Sequence, residues 1–137
     1  LARRAAYRDF CRARALTPVV IESDSTELGG VAAGEALSAY PAVTAALCSN
    51  DRVALGLYRA LRERGVRVPD DLSVVGFDDL PWGEYLAPPL TTVRQPGREM
   101  GRLAARLLLG ERAPTAPVQP ELMVRASVGT PRGGDTS

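Results

Sequence analysis

Histidine and lysine are both missing from this chain of 137 residues, so all seventeen basic residues are arginines. Without histidine there is no Ser-His-Asp or Cys-His arrangement and no imidazole to hold a transition metal. Without lysine, phosphoryl transfer of the P-loop type and Schiff-base chemistry have no candidate. Cysteine is scarce as well. Cys11 falls on a helical pattern and Cys48 in a strand, with no paired spacing, so both read as reduced and buried rather than as a disulfide framework. No apolar run approaches the roughly 20 residues that a bilayer-crossing helix needs. A soluble, cytoplasmic protein with no leader segment and no membrane partner is expected. Sixteen acidic residues leave a formal charge of +1, spread along the chain without a basic block. Nucleic-acid contact by this segment is therefore not expected.

What the chain does have is an apolar content of 45%, enough for a packed core in one domain or part of one. It is organised around the stretch from Ala46 to Gln95. The apolar run Val43 to Cys48 stops at Ser49-Asn50-Asp51, a polar trio of the kind that accepts hydrogen bonds from the first free N–H groups of a helix. From Arg52 to Arg64, Val53, Leu57 and Leu61 recur at helical spacing, and Gly65 supplies a left-handed stop. A turn over Val66 to Asp71 leads into Leu72 to Phe77, a β-branched run that halts at Asp78-Asp79. Two strands flanking one helix make a βαβ unit, hence parallel strands with a right-handed crossover. Both strands then end on one sheet edge. Asn50 and Asp78 face a common crevice there, where open α/β sheets bind ligands.

Ahead of this unit, Ala2 to Ala15 is helical in pattern. Val19 to Ile21 reads as a short buried strand after Pro18, and Glu27 to Ala39 as a helix capped from within Ser23-Asp24-Ser25-Thr26. Leu1 already sits in the helical pattern, so the chain reads as a piece of a longer protein. Gly29, Gly30 and Gly34 invite a dinucleotide-fold reading, but their spacing is wrong for G-x-G-x-x-G. After Asp79, Leu80 to Leu86 holds one helical turn, Pro88-Pro89 forces extension, and Leu90 to Val93 is a short strand. Gly97 to Leu109 is amphipathic, with Met100, Leu103, Ala104, Leu107 and Leu108 as its apolar stripe. Ala113 to Pro120 is a proline-rich connector, Glu121 to Val128 alternates as a last strand, and 129–137 reads as a disordered tail.

Asn50 alone is explained as a helix cap, and Asp78-Asp79 as turn formers. Converging on one crevice, they suit a polyhydroxylated ligand, because a carboxylate takes hydroxyl hydrogen bonds bidentately and an amide both gives and accepts. A hydrolase built on the Asp78/Asp79 pair is the alternative chemistry, but adjacent residues on an extended chain point to opposite faces. No cofactor, metal ligand set or catalytic residue is expected. On the helix from Asp51 to Arg64, Val53, Leu57 and Leu61 suffice for the sheet, which leaves Leu55 and Tyr58, along with Leu86, looking for a partner.

The run SNDRVALGLYRALRERGVRVPDDLSVVGFDDLPWGEYLAPPLTTVRQP resembles the effector-binding domain of the lactose-repressor/galactose-repressor (LacI/GalR) family of bacterial transcription regulators. The likeness extends less strongly over Leu1 to Val128. Its motifs are specific in combination: ND before an ALG helix, VPDDLSVVGFDD, and PPLTTVRQP at the expected intervals. The resemblance implies an α/β fold, a parallel-sheet three-layer sandwich of the type I periplasmic-binding-protein-like kind. Residues 1–128 would supply its C-terminal subdomain, and the helix at 97–110 would belong to the other subdomain and leave its apolar stripe exposed. The resemblance further implies effector contacts at Arg3, Asn50 and Asp78, with Gln95 at the hinge strand near the cleft mouth. Arg3 would open an R-x-x-G-aromatic pattern, here with Ala6 where glycine is usual. Family members that clamp a ring often carry an aromatic after an acidic residue. Here Ser25 follows Asp24, so either another residue such as Trp82 supplies the ring face or the effector is small and flexible. A sugar-like effector is implied, with DNA contact only through a separate helix-turn-helix and a homodimer through Leu55, Tyr58, Tyr85 and Leu86. A periplasmic sugar-binding protein of an uptake system is the alternative within the same fold.

Overall fold

The computed structural model describes residues 2–112 and 117–131. Leu1, part of the expected connector 113–120 and most of the expected tail lie outside the described residues. In chain order the elements are α1 (Ala2–Ala13), α2 (Glu27–Leu37), β1 (Ala45–Leu47), α3 (Asp51–Glu63), β2 (Ser73–Val75), a 3-10 turn (Pro81–Tyr85), β3 (Thr92–Arg94), α4 (Gly97–Leu108) and β4 (Glu121–Met123). β1 and β2 pair in parallel, from Ala45 opposite Ser73 to Leu47 opposite Val75, with α3 as the crossover. Parallel bridges at Val75–Thr91 and Asp78–Arg94 attach the β3 segment to the other side of β2. β3 then pairs antiparallel with β4. The α/β class expected from the βαβ pattern is the one observed.

Local chemistry explains where α3 begins and ends. Asn50 has an extended backbone, and its side-chain oxygen accepts from the Val53 N–H at 2.8 Å. At the other end Gly65 adopts φ +69°, which lets the Val66 N–H reach back to the Leu61 carbonyl at 2.9 Å, a left-handed termination that glycine permits without a Cβ clash. Between these caps Val53, Ala54, Leu57 and Leu61 pack with Cys48, Leu72, Val74 and Leu90 into the buried core. β4 ends at Met123, well short of the expected Val128, because Ser127 takes over as a fully buried bridge. Its carbonyl accepts from the Val74 N–H, and its hydroxyl donates to the Val74 carbonyl at 2.6 Å while accepting from the Thr91 N–H at 2.8 Å.

The glycines of α2 serve packing, not phosphate binding. α2 crosses α3 so closely that a Cβ on Gly30 would lie 2.1 Å from the Val53 carbonyl oxygen, and one on Gly56 would lie 1.9 Å from the Glu27 carbonyl oxygen. Alanine at Gly56 would gain at most about 1 kcal/mol of helix propensity, while forcing two backbones apart costs about 1–3 kcal/mol or more. Gly56→Ala is expected to lower the urea midpoint, and a raised midpoint would show that the helices can separate freely.

Two expectations need correction. α1 ends at Ala13, short of the expected Ala15, which adopts φ 53° and leaves the helix. Val19–Ile21 forms no strand, and these residues are exposed or half-buried. The β-branched composition is right for a strand, but the Val19 N–H donates to the Tyr7 hydroxyl at 3.2 Å instead of entering a ladder. A cavity of about 610 Å3 separates this segment from β1. α4 buries none of its residues, and Leu108 is 89% exposed.

Candidate functional site

Parallel pairing sends the C-terminal ends of β1 and β2 to one edge. Hydrogen bonds from the Asp51 N–H to the Phe77 carbonyl at 2.8 Å and from the Asp78 N–H to the Val93 carbonyl at 2.9 Å stitch the start of α3, the end of β2 and β3 together there. Arg3 arrives from α1. Its guanidinium lies 4.0 Å from the centroid of the Phe77 ring, an attraction worth about 0.5–1 kcal/mol at an exposed site, and its Nη1 donates to the Ser49 carbonyl at 2.7 Å. Phe77 is thus the aromatic at this edge, a role the sequence reading assigned to Trp82 or to none. Its position at the end of a strand next to Asp78 was the available signal.

Asn50 serves as the cap, and its amide nitrogen donates to the Ser25 carbonyl at 3.1 Å. Both ends of this amide are engaged within the protein. Asp78 is placed differently: its carboxylate accepts from the Gln95 amide at 2.8 Å on an otherwise exposed edge. Asp78 and Asp79 have φ values of 121° and 56°, backbone conformations that non-glycine residues seldom adopt and that turn the chain sharply. This elbow points the two carboxylates apart. Asp78 meets Gln95, whereas Asp79 is held by Arg94 at 2.6 Å and Arg125 at 2.7 Å. Each carboxylate is thus engaged by a different partner within the protein. The cavity of about 610 Å3 shares Arg3, Ser49 and Phe77 with the edge but is otherwise lined mainly by apolar residues such as Val19, Ile21, Ala46 and Leu57. Asn50, Asp78 and Gln95 do not line it.

Asp51 went unnoticed in the sequence beyond its place in the cap, yet it is fully buried. Its carboxylate accepts from the Thr92 hydroxyl at 2.6 Å and the Leu80 N–H at 2.8 Å. At the first turn of α3 a negative side chain also complements the helix dipole. Nearby, burial pushes the Cys48 thiol up to about 12, with a smaller push from the Asp51 carboxylate. This cysteine is therefore protonated and unreactive at neutral pH.

Burial acts to raise the Asp79 pKa, but the hydrogen bonds and charges of Arg94 and Arg125 outweigh it and hold the carboxyl below its usual 3.8. A folded-state pKa below the unfolded one contributes stability above the unfolded value, which is lost as pH falls through the folded one. Asp79→Asn is expected to flatten the acid limb of the stability curve below the usual carboxylate range. An acid limb of unchanged slope would assign that limb to other carboxylates.

The expected subunit-contact residues do not behave alike. Tyr58 and Leu86 pack against the core, and the Tyr58 hydroxyl donates to the Pro88 carbonyl at 3.0 Å, so both find partners within the chain. Leu55 is half-buried, and Tyr85 is 86% exposed. Leu28 on α2, which no motif or stripe in the sequence singles out, is 75% exposed. With Leu55, Tyr58 and Leu86 it lines one depression.

Residues 1–128 match the periplasmic-binding-protein-like domain, and the chain belongs to that family. Its structural neighbours are LacI-family regulators, as the sequence motifs implied. A LacI-family transcriptional regulator from Enterococcus faecalis, solved with bound ribose, superposes with a TM-score of 0.76 at 32% identity, covering 88% of this chain and 47% of that one. The ribose operon repressor of Haemophilus influenzae is 37% identical over 118 residues, which are 80% of this chain and 35% of the repressor. The transcriptional regulator MalR of Streptomyces coelicolor is 48% identical over 111 residues, 77% of this chain and 32% of that protein. The chain thus spans about a third of the length of these curated relatives.

Proposed function

We propose that this chain is the effector-sensing part of a bacterial transcription repressor, binding a small sugar-like molecule and making or breaking no bond. The single observation that carries the reading is the exposed carboxylate–amide pair Asp78–Gln95 at the sheet edge, beside Arg3 on the Phe77 ring. A carboxylate, an amide and a guanidinium offer acceptors and donors in the mixture that ring hydroxyls need. The names of the relatives, regulators and in one case a ribose operon repressor, favour regulation over a transport role. In this reading the effector lies against Arg3, Asn50, Asp78 and Gln95. Asn50 contributes mainly by fixing the start of α3. DNA is contacted by a separate part of a longer, cytoplasmic protein. The mechanism is linkage: an effector that binds one conformation more tightly shifts the population, and DNA affinity follows. Calorimetric titration with D-ribose, D-glucose and other sugars tests it, and no heat from any of them would overturn it.

The regulator is further read as a homodimer. The exposed Leu28 and the half-buried Leu55 line one depression with Tyr58 and Leu86, an apolar face that a two-fold contact would cover, and the exposed Tyr85 precedes Leu86 in the chain. Tyr58 and Leu86 underpin this face from the core. Leu55→Asp is expected to convert a dimer to monomers in sedimentation, and an unchanged dimer would remove this contact.

A further inference from the structure

We infer that Asp79 is a positioning residue that clamps both strands carrying α4 to the effector edge and so holds Asp78 and Gln95 in place for the ligand. This inference rests on the effector reading above. α4 buries none of its own residues. In sequence it follows β3 after Gln95 and Pro96, and it precedes β4, so these two strands are the legs by which it is attached. Asp79 grips both sides of this attachment. One carboxylate oxygen takes Arg94 of β3 at 2.6 Å, and the other takes Arg125, two residues beyond β4, at 2.7 Å. The Asp79 side chain is 8% exposed and that of Arg125 is 12% exposed, so solvent screens this pair far less than an ordinary surface bridge. Arg125 is anchored in turn by the Leu90 carbonyl at 2.8 Å and by Glu84 at 3.0 Å.

The neighbouring residue faces the proposed effector. Asp78 bonds Gln95, the residue immediately after Arg94. Two consecutive aspartates at positive φ therefore hold two consecutive residues of the same leg, one for the ligand and one for the clamp. A ligand that bonds Asp78 or Gln95 therefore meets groups whose backbone is tied to both legs through Asp79.

The test uses the intact protein. Amide hydrogen exchange is compared between wild type, Asp79→Asn and Arg125→Gln. Both variants are expected to speed exchange about tenfold or more in Asp78–Leu80, β3 and β4, as loss of a charge-assisted pair predicts, while α3 and β1 keep their wild-type protection. Unchanged exchange in the legs overturns the inference, and so does a uniform rise that includes α3, because Asp79 would then be a general stabiliser. In a second arm, D-ribose and D-glucose are titrated. With a sugar that binds wild type, Asp79→Asn should weaken binding about tenfold, and Asp79→Glu, which keeps the charge, should recover most of the loss. Unchanged sugar affinity in Asp79→Asn overturns the positioning role. If neither sugar binds wild type, the sugar reading fails, and the exchange arm alone decides the role of Asp79.

Discussion

Replacing Asp51 by alanine is expected to cost about 3–5 kcal/mol of folding stability, because it removes a buried charge-assisted partner from a buried hydroxyl and a part-buried N–H at once. The Thr92 hydroxyl and the Leu80 N–H both end on this fully buried carboxylate. The fully buried Thr92 hydroxyl is left without this acceptor once the side chain is gone. A further loss follows at the first turn of α3, where the negative charge complements the helix dipole. Asparagine keeps one oxygen for the Leu80 N–H, and the Thr92 hydroxyl can turn its proton away and accept. Asp51→Asn should therefore cost about 1–2 kcal/mol, in line with losing part of one hydrogen-bonded pair. Urea unfolding followed by circular dichroism measures both. An alanine variant within about 1 kcal/mol of wild type would mean that the 78–80 elbow and β3 rearrange without strain, against the measured range for unsatisfied buried groups.

The second large effect concerns the ligand. Asp78→Ala is expected to weaken sugar binding by about 1.5–3 kcal/mol, the range for hydrogen bonds to a charged group, which is roughly ten- to a hundredfold in Kd. Folding stability should change little, since among the described residues the Asp78 side chain bonds Gln95 on an exposed edge. Asn50→Ala separates the two roles from the other side. Losing the cap on the Val53 N–H should cost about 1 kcal/mol of stability, and any effect on the ligand should come with that loss. A stability loss for Asp78→Ala as large as that of Asp51→Ala would mark Asp78 as a structural turn residue and take it out of the site.

The features legible in the sequence were those decided within a few residues. The Asn50 cap and the Gly65 stop depend on local spacing, and each element of the βαβ unit appears where periodicity put it, shortened by one to three residues. The strands end at Leu47 and Val75 instead of Cys48 and Phe77. Asn50 and Asp78 arrive at one edge because parallel strands leave no other arrangement. What stayed hidden depends on partners far along the chain. Asp79 is 15 residues from Arg94 and 46 from Arg125, and no periodic pattern links residues so far apart. Asp51 looked like a third member of a cap, and only its distance to Thr92 gives it a larger role. Val19–Ile21 illustrates the converse, since β-branched composition states a preference whereas a strand also needs a ladder partner. The α2 glycines carried no phosphate-loop spacing, and only the helix crossing explains them.

The most direct measurement of the central claim is calorimetric titration of the intact protein with D-ribose and related sugars, in wild type, Arg3→Ala and Asp78→Ala forms. The edge formed by Arg3, Asn50, Asp78 and Gln95 predicts saturable binding to wild type that weakens in both variants, more steeply in Asp78→Ala. Sugar binding of equal affinity in all three proteins would contradict it.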